Sequence, residues 1–247
     1  MLNDLNDLAN IELLDFKDMR IAYRKETTDL NCLKEVLMQK CYQSKKHNFY
    51  VEKGEHWLDL GGNIGAFGLF VLSQGGQVSS YEPDNDNFEL MKLNYLSNFE
   101  IHRWVCVRKA VTNHSGAAQL TFWTGSKTSD RYRTSIFPNK RGRIVSLPNI
   151  YAGNIFGSAV VMSLFDGVKM DIEGAELGLI DSDLIPDCKK LVMEYHITKD
   201  KSMVNFHIRM NKLREHFSQV LYMPSLDRFP KNGLYPGFFD RIIICKK

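Results

Sequence analysis

Apolar and polar positions along the chain mark out strand, turn and helix units. His56-Trp57-Leu58-Asp59-Leu60 is a short apolar run carrying an acid near its end, Gly61-Gly62-Asn63-Ile64-Gly65 follows as a turn, and Ile64 to Leu72 leaves it as an amphipathic segment. Strand, glycine turn and helix in that order form the nucleotide-binding corner of an α/β fold. Val78 to Pro83 is a second strand ending in an acid, Glu82, and Asp84-Asn85-Asp86-Asn87 caps a helix carrying Phe88, Met91, Leu93 and Tyr95. Further strands are predicted at His102 to Val107, Gln119 to Trp123, Val168 to Asp171, Leu191 to His196, Gln219 to Met223 and Phe239 to Cys245. Met203, Phe206, Met210, Leu213 and Phe217 have helical spacing and read as core. Near the start, Leu2, Leu5 and Leu8 recur every third residue with Leu13 beyond, predicting a short amphipathic helix. A second helix is predicted from Asp29 to Tyr42, with Thr27 or Thr28 as N-cap, so residues 1–50 read as an N-terminal helical segment.

The glycine turn decides the ligand class. A dinucleotide site uses G-x-G-x-x-G, which brings a pyrophosphate onto the helix N-terminus. Here the turn reads D-x-G-x-N-x-G, and Asn63 breaks the dinucleotide pattern, which disfavours an NAD-dependent dehydrogenase. An acid at the strand end repels phosphate but suits an ammonium group, and Gly61 and Gly62 let the backbone approach it. S-adenosylmethionine (SAM) fits that chemistry. Glu82, at the end of the next strand, stands where nucleoside folds grip ribose hydroxyls. Helix capping by Asp59 and an exposed strand end at Glu82 are the competing structural explanations.

Composition narrows the setting. With 247 residues and 44% hydrophobic content, the chain suffices for one core carrying insertions. A net charge of +3 is too mild to demand a nucleic-acid partner. Cys32, Cys41, Cys106, Cys188 and Cys245 are odd in number and lack C-x-x-C pairing, which suggests a reduced cytoplasmic protein without structural zinc. Met1 to Phe16 contains four acids and no long apolar run, so neither a signal peptide nor a membrane span is expected there. Residues 124–157 are the least regular stretch, with Lys127, Arg131, Arg133, Lys140, Arg141 and Arg143 interleaved with Tyr132, Phe137 and Tyr151. This basic insertion reads either as an acceptor-binding surface or as a solvated loop.

Together, L-D-L-G-G-N-I-G at 58–65, Y-E-P-D-N-D-N-F-E-L-M-K-L-N at 81–94, V-K-M-D-I-E-G-A-E at 168–176 and V-M-E-Y-H at 192–196 resemble the FkbM family of SAM-dependent methyltransferases. The likeness runs from about Arg24 to Lys199, and D-x-E-G-x-E is its most specific piece. It implies one Rossmann-like class I methyltransferase domain over 1–247: an α/β fold with a central, mostly parallel seven-stranded sheet, helices on both faces and an antiparallel last strand. It also implies O-methylation of a sugar, a glycan or a related small-molecule hydroxyl. Arg24, Thr27 and Asp29 match an R-x-x-T-x-D-like stretch that is expected either to cover the cofactor or to cap a helix. The chain departs from the family between Ser158 and Leu164, where a longer connection with a helix is more usual.

The resulting cofactor-binding candidates are Asp59, Gly61, Gly62, Asn63, Gly65, Glu82, Pro83, Ala110, Val111 and Asp171. Ala110 and Val111 enter by position, as the strand end that faces adenine in this fold class. His196 is the leading general base, with Asp171, Glu173 and Glu194 as alternatives. Carboxylates at neighbouring strand ends also suit Mg²⁺ or Mn²⁺, so a divalent ion is a candidate second cofactor whose ligands remain open. Two other functions compete: a nucleic-acid methyltransferase, which lacks here both N/D-P-P-Y/F and a P-C nucleophile, and a SAM-binding module without catalysis.

Overall fold

Seven short strands rich in apolar residues assemble the central sheet, and two opposed apolar surfaces cover it. The computed structural model describes residues 10–98, 103–114, 119–124, 134–135, 143–196, 202–223 and 241–247. The chain opens with a hairpin of β1 (Ile11–Phe16) and β2 (Met19–Arg24), then α1 (Asp29–Leu33), which continues as a π-helical turn, Lys34–Met38. β3 (His56–Leu60), α2 (Ala66–Ser73), β4 (Gln77–Tyr81), α3 (Asn85–Leu96) and β5 (Trp104–Val107) form two consecutive βαβ units. β6 (Ala110–Thr112), β7 (Gln119–Thr124), β8 (Thr134–Ser135) and β9 (Arg143–Tyr151) make a separate sheet in the order β6-β9-β7-β8. Then come α4 (Gly153–Phe156), α5 (Ala159–Met162), β10 (Gly167–Met170), α6 (Ala175–Asp181), β11 (Lys190–Tyr195), α7 (Met203–His216), β12 (Gln219–Met223) and β13 (Arg241–Lys246).

The central sheet has the order β12-β13-β11-β10-β3-β4-β5. The pairs from β11 to β5 are parallel, and β13 runs antiparallel to both of its neighbours. This is the mostly parallel seven-stranded sheet with an antiparallel last strand that the family resemblance implied. Alternation along the strands feeds two cores. Trp57 and Val192 face one with α2, and Leu58, Leu60, Val168 and Met193 face the other with α6 and α7. Parallel strands covered on both faces become continuous apolar runs, which is why they stand out in the sequence.

Four expectations are corrected. Leu13 belongs to a strand, not a helix: Lys17, at φ 52°, turns the chain so that Ile11–Phe16 pairs with Met19–Arg24, and Leu13 is exposed. Residues 1–9, with Leu2, Leu5 and Leu8, lie outside the described part. The Asp29 to Tyr42 helix is shorter than predicted, passing into the π turn after Leu33, and Lys40 at φ 55° follows it. The segment from Ile64 is not amphipathic, because every residue from Ala66 to Leu72 is buried: the sheet lies on one side, and Leu33, Val36, Leu37 and Phe49 share the same core. Finally, residues 143–157 of the basic insertion are regular, forming β9 and α4. Lys127, Arg131, Tyr132, Arg133, Phe137, Lys140 and Arg141 lie outside the described residues.

Gly61 and Gly54 separate two costs. Both have positive φ, 83° and 87°, but a Cβ on Gly61 would lie 1.8 Å from the carbonyl oxygen of Asp171, whereas Gly54 faces open space. Gly54→Ala is expected to cost about 1–2 kcal/mol through backbone conformation alone. Gly61→Ala should cost several times more, because two strand ends must separate. Equal losses for the two variants in denaturant unfolding would disprove the close approach.

Candidate active site

The carboxyl ends of β3, β4 and β10 open onto one cavity, as expected for an α/β sheet beside the point where strand order reverses. Its walls include Gly61, Gly62, Asn63, Glu82, Pro83, Ala110, Val111, Asp171 and Glu173, and the N-terminal segment adds Cys32, Val36 and Tyr42. Gly65, at φ 93°, is not in the wall: it starts α2, where an added Cβ would meet the Trp104 ring at 2.6 Å. Among the acids, Glu82 lines the cavity and Asp59 does not.

Asp59 is fully buried. Its Oδ2 accepts from the Ser80 hydroxyl at 2.9 Å, and its Oδ1 lies 3.2 Å from Nζ of Lys169. Lys169 also donates to the Gly61 carbonyl at 2.7 Å, stands 3.9 Å from Asp171 Oδ2 and lies over the Tyr42 ring at 5.5 Å. Burial works against its charge, but Asp59 and then Asp171 outweigh that and hold its pKa above the usual lysine value. Tyr42 completes the group by donating its hydroxyl to Asp171 Oδ2 at 3.0 Å. Lys169 was missed in the sequence, although a lysine between Val168 and Met170 in a central strand is itself a sign of a buried partner. Tyr42 had no such sign, standing 129 residues from Asp171.

Glu82 is held by the turn it faces. Its Oε2 accepts from the Asn63 backbone N–H at 2.8 Å and its Oε1 from that of Asp84 at 2.8 Å. Burial first, and the Asp84 charge second, push its pKa up to about 8. Behind it, Asn87 donates toward Oε1 at 3.5 Å and accepts from Nη2 of Arg24 at 2.7 Å. Arg24 in turn makes a two-pronged pair with buried Asp29, Nε to Oδ2 at 2.7 Å and Nη2 to Oδ1 at 3.0 Å. Arg24 and Asp29 therefore brace the Glu82 carboxylate from behind. Thr27 tightens the same turn, donating to the Arg24 carbonyl and accepting from the Asp29 N–H.

A second cluster lies where β10 and β11 end side by side. His196 is 1% exposed, and its Nε2 faces Glu173 Oε2 at 3.5 Å and Asp171 Oδ1 at 3.9 Å. Its Nδ1 is 2.8 Å from Oε1 of fully buried Glu176, which also accepts the His196 backbone N–H at 3.0 Å. Burial alone would lower the imidazole pKa, but Glu176 and Glu173 more than reverse this and hold it well above the usual histidine range. Glu173 is a non-glycine residue at φ 53°, followed by Gly174 at φ 103°, a turn that carries its side chain back toward His196. Glu194, the remaining alternative base, is half-buried and lies outside both the cavity wall and this cluster.

The sequence model of a family described as Methyltransferase FkbM domain matches residues 59–220. No curated protein matches the chain. Among solved structures, a Pyrococcus horikoshii protein described as a transferase is 11% identical, with a TM-score of 0.50 over 96% of this chain and 73% of that one. The M. jannaschii protein TYW2 in complex with AdoMet is 9% identical, with a TM-score of 0.49 over 96% and 85%. A SAM-dependent O-methyltransferase of Thermotoga maritima is 13% identical, with a TM-score of 0.45 over 100% and 97%.

Two predictions come from the acids. Asp59→Ala leaves Lys169 without its nearest counter-charge, so it should cost about 3–5 kcal/mol of stability in denaturant unfolding. A variant as stable as the parent would refute that role for the ion pair. Glu82 binds its proton more tightly when folded, so its contribution lowers stability as pH rises from the ordinary 4.5 through about 8. Glu82→Gln should therefore flatten the fall in melting temperature across that window, and an unchanged pH slope would count against it.

Proposed function

We propose that this chain, which belongs to the FkbM methyltransferase family, transfers the S-methyl group of SAM to a hydroxyl of a sugar, a glycan or a related small molecule. The observation that carries the reading is one cavity bordered at one side by Glu82 and the glycine turn and at the other by Asp171 and Glu173, the open face of the His196 cluster.

Within that cavity, Glu82 accepts the ribose hydroxyls, Ala110 and Val111 flank adenine, and the Gly61 to Asn63 turn lets the amino-acid part lie against backbone. Asp171, fixed by Tyr42 and beside Lys169, reaches the methionine end. The sulfonium already activates the methyl group, so the protein has two tasks. It must align two reactants, worth up to about 7–11 kcal/mol, and draw a proton from a weakly acidic hydroxyl, worth about 10²–10⁴ in rate. The acceptor oxygen attacks the methyl carbon, the C–S bond breaks, and its electron pair returns to sulfur, leaving a neutral thioether. The hydroxyl loses its proton at the end of the cavity where Asp171, Glu173 and His196 cluster.

The test is methyl transfer from radiolabelled SAM to a panel of sugars, glycans, lipids and RNA, with SAM affinity measured by calorimetry. Label should enter a sugar or glycan hydroxyl, and Glu82→Ala should weaken SAM by about tenfold or more, a loss of at least about 1.4 kcal/mol. Label confined to RNA would replace the acceptor class. SAM binding without transfer to any acceptor would point to a non-catalytic binding protein, and unchanged affinity in Glu82→Ala would overturn the ribose assignment.

A further inference from the structure

The two nitrogens of His196 meet different surroundings. Nδ1 is committed to Glu176, whose Oε1 accepts from it at 2.8 Å and whose Oε2 is occupied by the Gly174 N–H at 2.9 Å. That bond keeps a hydrogen on Nδ1 and turns Nε2 away from Glu176, the arrangement that carboxylates impose on metal-binding histidines. Nε2 is buried without a hydrogen-bond partner. It points into a space walled by Asp171 Oδ1 at 3.9 Å and Glu173 Oε2 at 3.5 Å. Two carboxylates facing Nε2 favour a positive group between them, either a proton on Nε2 or a cation in its place. These separations exceed those of good hydrogen bonds, so a proton on Nε2 would be poorly shared.

A metal ion fits the spacing better. Octahedral ligands at about 2.1 Å stand about 3.0 Å apart when adjacent and about 4.2 Å apart when opposite. The two His196 separations fall between those limits, and one donor atom from each of Asp171, Glu173 and His196 lies within 4.8 Å of the other two, so the carboxylates have only to draw slightly inward to close on an ion. The left-handed backbone at Glu173 is what carries its carboxylate to the same point as His196.

We propose that Asp171, Glu173 and His196 form a divalent-cation site, and that the cation holds the acceptor through two adjacent hydroxyls. Two carboxylates with one imidazole suit Mn²⁺ better than Ca²⁺ or Mg²⁺. Three protein donors leave three octahedral positions, enough for a vicinal diol and one water. The ion acidifies one bound hydroxyl, whose proton leaves to solvent, and the resulting alkoxide attacks the methyl carbon as the C–S pair returns to sulfur. The acceptor part of this inference rests on the hydroxyl-methylation reading, and the cation site stands apart from it.

The experiment is Mn²⁺ titration of the full chain followed by electron paramagnetic resonance, with circular dichroism confirming that each variant is folded. One ion per chain is expected. Glu176→Gln, which loosens the imidazole, should weaken binding by about 10–100-fold, and Glu173→Gln by at least as much. Glu173 is the accessible member, with a side chain 22% exposed, so its variant keeps the test informative if His196→Ala does not fold. Absence of bound Mn²⁺ at millimolar concentration, or binding that ignores Glu173→Gln and Glu176→Gln, overturns the site. Undiminished methyl transfer to a sugar in EDTA overturns the catalytic ion while leaving the methyltransferase reading intact. Bound Mn²⁺ without methylation of any hydroxyl supports the site and removes the acceptor reading. Equal turnover of a diol and its monodeoxy analogue would show that two-point binding is wrong.

Discussion

A single buried ammonium group organises the ligand end of the molecule. Lys169 reaches Asp59 at the end of β3, the Gly61 carbonyl in the turn and Asp171 at the end of β10, and it lies against Tyr42 from the N-terminal segment. Removing such a charge from water is costly, and only several simultaneous partners make it tolerable. The same arrangement explains why Gly61 is glycine: the turn must approach the Asp171 carbonyl more closely than any Cβ permits. Asp59 thus shapes the cavity from behind its wall, by holding Lys169.

The N-terminal segment is part of the same construction. It covers the outer side of α2, which for that reason is apolar all round, and it sends two polar devices inward. Arg24 and Asp29 support Asn87 behind Glu82, and Tyr42 supports Asp171. Both ends of the cavity therefore depend on residues far away in sequence. Displacing the N-terminal segment would loosen the two carboxylates together.

At the neighbouring strand end, His196 and Glu176 repeat the principle of a functional group held from behind. Glu176 spends both oxygens on the His196 and Gly174 positions, leaving Nε2 as the free face of a rigid imidazole. Because β10 and β11 are adjacent and parallel, Asp171 and His196 emerge together at the carboxyl edge. The left-handed turn at Glu173 and Gly174 brings a second carboxylate to the same point.

The strands of the central sheet and the helix capped by Asp84 were legible because burial on both faces writes apolar runs, and because a side-chain cap is a local interaction, while the antiparallel direction of the last strand came from the family resemblance. The places of the glycine turn and of Glu82 were legible because a left-handed turn and a strand-end acid leave their mark within a few residues, although the Asp171 carbonyl that Gly61 approaches lies far along the chain. The β1–β2 hairpin was not, since pairing across Lys17 overrode a three-residue leucine spacing. Nor was the inward turn of Asp59, or the bracing of Glu82 and Asp171 by Arg24 and Tyr42. Local pattern determines which segments form strands and where acids end them. Which acid meets a cation, and which remains open to a ligand, depends on partners brought together across the chain, and tertiary structure alone decides that.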